Sequence, residues 1–343
     1  MSENRTEIST LGEFGLIEHL TKNFEIHNAS TLLSGGDDAA VIDHFGKQTV
    51  ITTDLLLEGI HFDLMYTPLK HLGYKAVVVN LSDIYAMNAT PTQITMSIGI
   101  SNRFSVEALS EFYEGIFAAC EKYKVDLIGG DTSSSLKGFV ISVTALGEAN
   151  IEKVVKRNTA QKGDLICVSG NLGAAFLGLT LLEREKKIYL ESPEVQPDLE
   201  QESFVVGKLL KPEARKDIIE FFEAQQILPT SMMDISDGLS SELHHICKQS
   251  NLGCIIYEDK LPILEDSKKT AFKFGMDATV CALNGGEDYE LLFTLKQDDY
   301  EKVKLHPDIS VIGYTTEPSE GIYLTTKSGN KHALLAQGWN AGK

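Results

Sequence analysis

Four short acidic clusters pose the chemical question in this chain of 343 residues. "SGGDDAAVID" (34–43) places Asp37 and Asp38 side by side behind two glycines. The same Gly-Gly-acid device returns at Asp131 in "IGGDTSSS" and at Glu287 and Asp288 in "NGGEDYELLF". The fourth cluster, "MMDISDGLSS", carries Asp234 and Asp237. Adjacent carboxylates repel and glycine costs backbone entropy, so the pattern calls for something strongly positive among these segments. Asp54 closes "VITTD", while Asn80 and Asp83 stand three apart on one helical face of the apolar run "VNLSDIYAM". A carboxylate in such surroundings stays charged only beside a cation or several donors.

Zinc would require His and Cys ligands, and no such cluster exists. Calcium accepts these ligand types, but no stretch has the spacing of an EF-hand loop. Carboxylates distributed one or two per loop, with Thr52, Thr53 and Ser236 beside them, suit octahedral Mg²⁺. That ion fills its remaining positions with water and phosphate oxygens, which points to a phosphate-bearing substrate. Like charges about 4 Å apart repel by about 4 kcal/mol at an effective dielectric of about 20. An acidic site therefore holds a polyphosphate only if metal ions supply most of the neutralisation, with Arg157 as the basic candidate. The phosphate-loop pattern GxxxxGK[ST] and the HRD and DFG kinase signatures are absent. "SGNLGAAFLG" has GxxG spacing and reads as a structural turn.

The elements that must position these residues follow from pattern. "GEFGLIEHLTKNF" is helical, "AAVID" and "QTVITTDLLLEGIHF" are strands, and "PLKHLGYKAVVVNLSDIYAMNA" is a long buried helix opened by proline. "TQITMSIGI" is a strand, "SVEALSEFYEGIFAACEKY" a helix with a Ser cap, and "VDLIGGD" and "GFVISVTALGEA" are strands. Asp54, Asp131 and Asp234 are thereby expected where strands end, common places for functional side chains. The polar stretch "NIEKVVKRNTAQKGD" connects to a strand–turn–helix, "DLICVSGNLGAAFLGLTLLE", and "EREKKIYLESPEVQPDLEQES" reads as a solvated excursion. The order is mixed rather than strictly alternating, so the fold class is α/β of the α+β, mixed-sheet kind. Two domains are expected, 1–150 and 151–343.

Bulk properties exclude several classes. A net charge of −18 opposes nucleic acid and anionic membranes as partners. Five scattered cysteines without a CxxC fit a reducing compartment, and the polar start "MSENRTEIST" shows no signal peptide. No apolar run would span a bilayer, so a cytoplasmic protein is expected.

Taken in order, "GGDDAAVI", "TTDLLLEGIHF", "KAVVVNLSDIYAMNATP", "LIGGDTSSS", "DISDGLSSEL" and "GGEDYELLFT" closely resemble the thiamine-monophosphate kinase family, over about Gly12 to Trp339. The resemblance implies a two-domain fold like that of aminoimidazole-ribotide synthetase, with a cleft between the domains. It also implies homodimers joined through the strands of the N-terminal domains, and transfer of the γ-phosphoryl of ATP to thiamine phosphate with Mg²⁺. By the same resemblance Asp38, Asp54, Asp83, Asp131, Asp234 and Asp237 match metal ligands, with Thr52 and Thr53 as neighbouring oxygen donors. Gly130, Asp131, Arg157 and Ser236 match ATP contacts, and His61, Glu287 and Trp339 match substrate contacts. Asp37 and Asp288 stand beside matched residues. The chain departs from the family's pattern at Asn88, at Glu242 where Asp is usual, and in its ending "GWNAGK".

The acceptor phosphate has a second pKa near about 6 and is mostly anionic at neutral pH, so no general base is required. Each residue also has a plainer reading. Asp234 and Asp237 could cap the helix that follows them. His61 and Trp339 could be packing residues, and Arg157 a connector salt bridge. The rival functions are another ATP-using member of the same superfamily, a non-catalytic Mg²⁺–nucleotide module and a metal-dependent phosphohydrolase.

Overall fold

The computed structural model describes residues 31–33, 37, 40–44, 46–101, 103–197, 199 and 202–336. The helix expected in "GEFGLIEHLTKNF", together with Asp38 and Trp339, lies outside the described residues. The first half runs β1 (Thr31–Leu33), β2 (Ala40–His44), β3 (Lys47–Leu57), α1 (Leu69–Ala86), β4 (Thr90–Ile100), α2 (Val106–Tyr123), β5 (Asp126–Ser134) and β6 (Val140–Asn150). Among the described residues its strands form one sheet, β1-β2-β3-β6-β4-β5, antiparallel except for the β4/β5 pair.

The second half contains β7 (Leu165–Ser169), α3 (Ala174–Glu191), α4 (Ser203–Leu210), α5 (Lys216–Gln225), β8 (Ser231–Ile235), α6 (Leu239–Ser250) and β9 (Gly253–Tyr257). It continues with α7 (Glu265–Lys273), α8 (Ala278–Asn284), β10 (Glu290–Leu295), α9 (Tyr300–Val303), β11 (Ile309–Thr316), β12 (Ile322–Thr325) and β13 (Lys331–Ala333). These strands make a second mixed sheet, β13-β12-β9-β11-β7-β10-β8. The mixed α/β class with two sheets agrees with the reading from sequence.

Helix α1 is the spine. It starts after Pro68, whose extended backbone suits an entry position, and is buried on nearly every side. Its surroundings explain that composition: β3, β4 and β6 lie on one side, α2 on another, and β8 of the second half on a third. Helix α2 opens on Ser105, whose Oγ accepts the Ala108 N–H at 3.2 Å. Where α1 and α2 meet, glycine is required. A Cβ on Gly73 would lie 1.9 Å from the Phe112 carbonyl oxygen, and one on Gly115 would lie 1.9 Å from that of Lys70.

Three local expectations are corrected. The third strand ends at Leu57, because Gly59 turns the chain at φ +82° and Glu58 bridges back to Phe62. The charged run after Leu182 continues α3 as far as Glu191, since Glu, Arg and Lys are good helix formers with a solvated side. The strand read in "VDLIGGD" does not end at Asp131: Gly129, Gly130 and Asp131 are the middle of β5, paired with Thr95, Met96 and Ser97, and the strand runs on to Ser134. Strand pairing there overrides the turn preference of glycine, and Gly130 has a steric reason of its own: a Cβ would lie 1.8 Å from the Met96 carbonyl oxygen.

Gly115→Ala should force α2 off α1 and cost about 1–3 kcal/mol, the usual range for overpacking. Urea unfolding checks it; an unchanged midpoint would show that the helix crossing has slack.

Candidate active site

The polar side chains of α1 organise the site. Asn80 is fully buried; its Nδ2 donates to the Ala76 carbonyl at 3.0 Å and its Oδ1 accepts the Asp54 N–H at 3.0 Å. Thr52 Oγ1 donates to Asp83 Oδ2 at 2.6 Å. Asn80 and Asp83 thus share the face that meets β3, as their spacing predicts. Ser82 points elsewhere and donates to Asp234 Oδ2 at 2.6 Å, crossing from the first half of the chain to the second. Lys75, only 4% exposed, pairs with Glu287 and donates to the Leu209 carbonyl at 3.2 Å.

Glu287 reaches this point through an unusual turn. Glu287 and Tyr289 adopt positive φ, +60° and +49°, a conformation L side chains seldom take. The Glu287 N–H donates to the Ser236 carbonyl at 2.6 Å and the Tyr289 N–H to that of Ile235 at 2.8 Å, lacing the turn to the end of β8. Tyr289 OH then donates to Glu287 Oε1 at 3.1 Å. Strain of this kind persists only where surrounding contacts over-determine it, and it clusters at functional sites.

Electrostatics confirm that the acids converge. Burial raises the Tyr289 phenol well above its usual range, and the charges of Glu287, Asp54 and Asp234 raise it further. Burial, assisted by Glu287, pushes the Asp54 carboxyl up to about 6. Burial lowers His61 below the usual imidazole range, against the opposing pull of Glu287. His61 Nδ1 accepts the Leu57 N–H at 3.0 Å, so the neutral ring carries its proton on Nε2 and is a donor there.

In the paired acids one member is structural. Both oxygens of Asp288 accept the Gly173 N–H at the start of α3, at 3.1 and 2.9 Å, and burial pushes its carboxyl up to about 8. Asp37 accepts the Arg157 backbone N–H at 3.0 Å and pairs with its guanidinium at 3.3 Å. Ser231 and Ser250 donate to the Arg157 carbonyl, so the connector is held on both sides. Neither Asp234 nor Asp237 occupies the N-cap position of α6, which is Gly238. Instead the Asp237 N–H donates to Glu242 Oε1 at 2.9 Å. Glu242 is raised well above the carboxylate range by burial, then by Asp237 and Asp234, and its buried Oε2 has no hydrogen-bond partner.

The first sheet divides the remaining candidates. Along β3, Thr52 and Asp54 lie on the α1 side while Thr53 lies on the outer face, its Oγ1 donating to the Val143 carbonyl at 3.0 Å and accepting from Thr144. Asp131 pairs with exposed Ser97, in the same outer row as Leu55. Three strand spacings, about 14 Å, separate it from β3. Ser236 adjoins the cleft through its carbonyl. The structure therefore gathers Thr52, Asp54, Asp83, Asp234, Asp237, Ser236, His61 and Glu287 around the cleft, and leaves Thr53 and Asp131 on the other side of the sheet.

Among the described residues no three His, Cys, Asp or Glu side chains close around one point that would hold an ion. Hydroxyls from Thr52 and Ser82 are bound to Asp83 and Asp234 instead. The donor chemistry nevertheless fits Mg²⁺, because every donor is oxygen and Asp54 is a carboxylate short of positive charge. Sequence reasoning missed Lys75, Ser82 and Tyr289. A signal existed for Lys75, a lone charge in the apolar run "YKAVVVN".

Profiles for the AIR synthase related protein match the N-terminal domain at residues 36–149 and the C-terminal domain at 161–324. The chain is 36% identical over 322 residues to the thiamine-monophosphate kinase of Aquifex aeolicus, covering 93% of this chain and 96% of that one. Against the Bacillus subtilis thiamine-monophosphate kinase identity is 31%, covering 96% and 99%. Among solved structures, that of AaThiL complexed with AMPPCP and TMP matches with a TM-score of 0.84 at 33% identity, covering 99% of this chain and all of that one. Thiamine-monophosphate kinase from Stenotrophomonas maltophilia K279a matches with a TM-score of 0.72 at 31% identity, covering 89% and 93%. With both halves of the chain matched in order and relatives aligned along almost its whole length, the chain belongs to the thiamine-monophosphate kinase family.

Proposed function

We propose that this chain phosphorylates thiamine phosphate to thiamine diphosphate at the expense of ATP, by direct in-line transfer in the cleft between its two halves. The observation that carries the reading is the convergence of Asp54, Asp234 and Glu287 on Tyr289, in a chain aligned end to end with thiamine-monophosphate kinases. Asp54, Asp83, Asp234 and Asp237 would hold Mg²⁺ with Thr52, and Asp38 is assigned to the same set. Bound there, the ions neutralise the phosphates whose charge must be brought together.

The protein's own part is positioning. Gly130, Asp131, Arg157 and Ser236 are assigned to ATP, and His61, Glu287 and Trp339 to the acceptor. His61 serves as a neutral Nε2–H donor and not as a base, which suits an acceptor oxygen that is already anionic. Asn80 fixes the backbone at Asp54, and Thr52 fixes the carboxylate of Asp83, so both acids are oriented before substrate arrives.

The protein is proposed to act as a homodimer joined through its N-terminal sheets. Exposed Leu55 and Ile128, at 52% and 60%, support this, as does the open edge of β5. A second copy laid on the outer face would enclose Thr53 and Asp131. Free buried cysteines, and the lack of any described helix long and apolar enough to cross a membrane, support a cytoplasmic setting.

ADP release from Mg·ATP should depend on thiamine phosphate and match thiamine diphosphate formed, as chromatography can show. Release independent of thiamine phosphate would sink the assignment. Asp54→Asn should lose most turnover, about 100-fold or more if it removes a transition-state contact. The same variant should melt higher than wild type at pH 7.5 in EDTA. A carboxyl raised by burial binds its proton more tightly when folded, so its contribution to stability is present at low pH and is lost as pH rises from about 4 through about 6. A lower melting temperature would show that the Asp54 charge is already compensated.

A further inference from the structure

Lys75 stands where a charge is expensive. Its side chain is 5% exposed, on a helix whose neighbours at Ala76, Val77, Val78 and Val79 are buried and apolar. Desolvating an ammonium is unfavourable unless a partner offsets it. Here the ammonium touches three elements: its own α1, the Leu209 carbonyl at the end of α4, and Glu287 in the strained turn after α8. The carboxylate of Glu287 is thereby gripped from two sides, by Lys75 at Oε2 and by Tyr289 OH at Oε1. Stability alone is a poor explanation, since a well-packed apolar side chain is often at least as good as a buried ion pair. What such a pair does supply is a fixed geometry between the elements that carry it.

We propose that Lys75 is a positioning residue for the acceptor side of the cleft. It reaches across from α1 to fix the carboxylate of Glu287, and with it the turn that must meet thiamine phosphate. The idea rests on the phosphotransfer reading given above, and it adds a residue that reading does not assign. The Lys75–Glu287 pair acts as one unit: without its ammonium, half-buried Glu287 stands near Asp54 with no opposite charge on that oxygen, and the turn loses its anchor in the first half of the chain. Of the residues assigned to ATP only Ser236 is bonded to this turn, through its backbone carbonyl, so ATP should feel the change less than the acceptor does.

The test is steady-state kinetics of thiamine phosphate-dependent ADP release for wild type, Lys75→Met, Lys75→Arg, Glu287→Gln and the double variant Lys75→Met/Glu287→Gln. Lys75→Met should raise the KM for thiamine phosphate about tenfold or more while that for ATP stays within about twofold. Lys75→Arg should recover part of the loss. The double variant should be no more than about threefold worse than Glu287→Gln alone, as expected for residues that act together. An unchanged KM for thiamine phosphate in folded Lys75→Met would overturn the proposal, as would equal rises in both KM values. If Lys75→Met does not fold, the double variant, which leaves no uncompensated charge, is compared with Glu287→Gln alone: a double variant more than about tenfold worse would overturn the proposal. Failure of wild type to release ADP would instead overturn the phosphotransfer reading.

Discussion

Helix α1 must bury itself on nearly every side while carrying Lys75, Asn80, Ser82 and Asp83, and that constraint organises the rest of the molecule. A buried polar group without a partner costs more than most single contacts return, so each of these side chains has to meet a matching group on another element. Asn80 meets the backbone of Asp54, Asp83 meets Thr52, Ser82 meets Asp234, and Lys75 meets Glu287. The first two fix the helix against its own sheet. The last two reach into the second half of the chain, so the same desolvation argument that places the helix also sets the two halves against each other.

The outcome is a cleft with more negative charge than the protein itself balances. Asp54 is raised toward neutrality, Tyr289 is held far from ionisation, and Glu242 is buried among acids. In a protein selected for stability alone these carboxylates would be amides or apolar residues. Their retention is understandable if the cleft is complete only with cations and phosphates present, because opposite charges in a low-dielectric site then meet without reorganisation. The positive φ of Glu287 and Tyr289 belongs to the same picture, in which local strain is tolerated for placement.

Much of this was legible in the chain, for reasons that can be named. The long apolar run after Pro68 could only be an enclosed helix, and the three-residue spacing of Asn80 and Asp83 put them on one face. Ser105 announced a helix start. Other features depend on partners far away in sequence. That Asp37 meets Arg157 is decided 120 residues further on. That the strand of "VDLIGGD" runs on past Asp131 to Ser134 depends on β4, whose Met96 carbonyl also leaves no room for a Cβ at Gly130. The separation of Thr53 from Thr52 was available from strand alternation alone, once Asp54 is recognised as lying within β3 and not at its end. Lys75 carried a signal, a lone charge in an apolar helix, but its partner Glu287 lies too far along the chain to be read from that signal.

The most direct measurement is the melting temperature with Mg²⁺, with a non-hydrolysable ATP analogue, and with both, at neutral pH. If the acidic cleft holds polyphosphate only through cations, the two together should raise the melting temperature well beyond the sum of their separate effects. The analogue in EDTA should then do almost nothing. An analogue that stabilises the protein equally well in EDTA would contradict the account, because it would mean that the protein's own groups suffice to hold the phosphates.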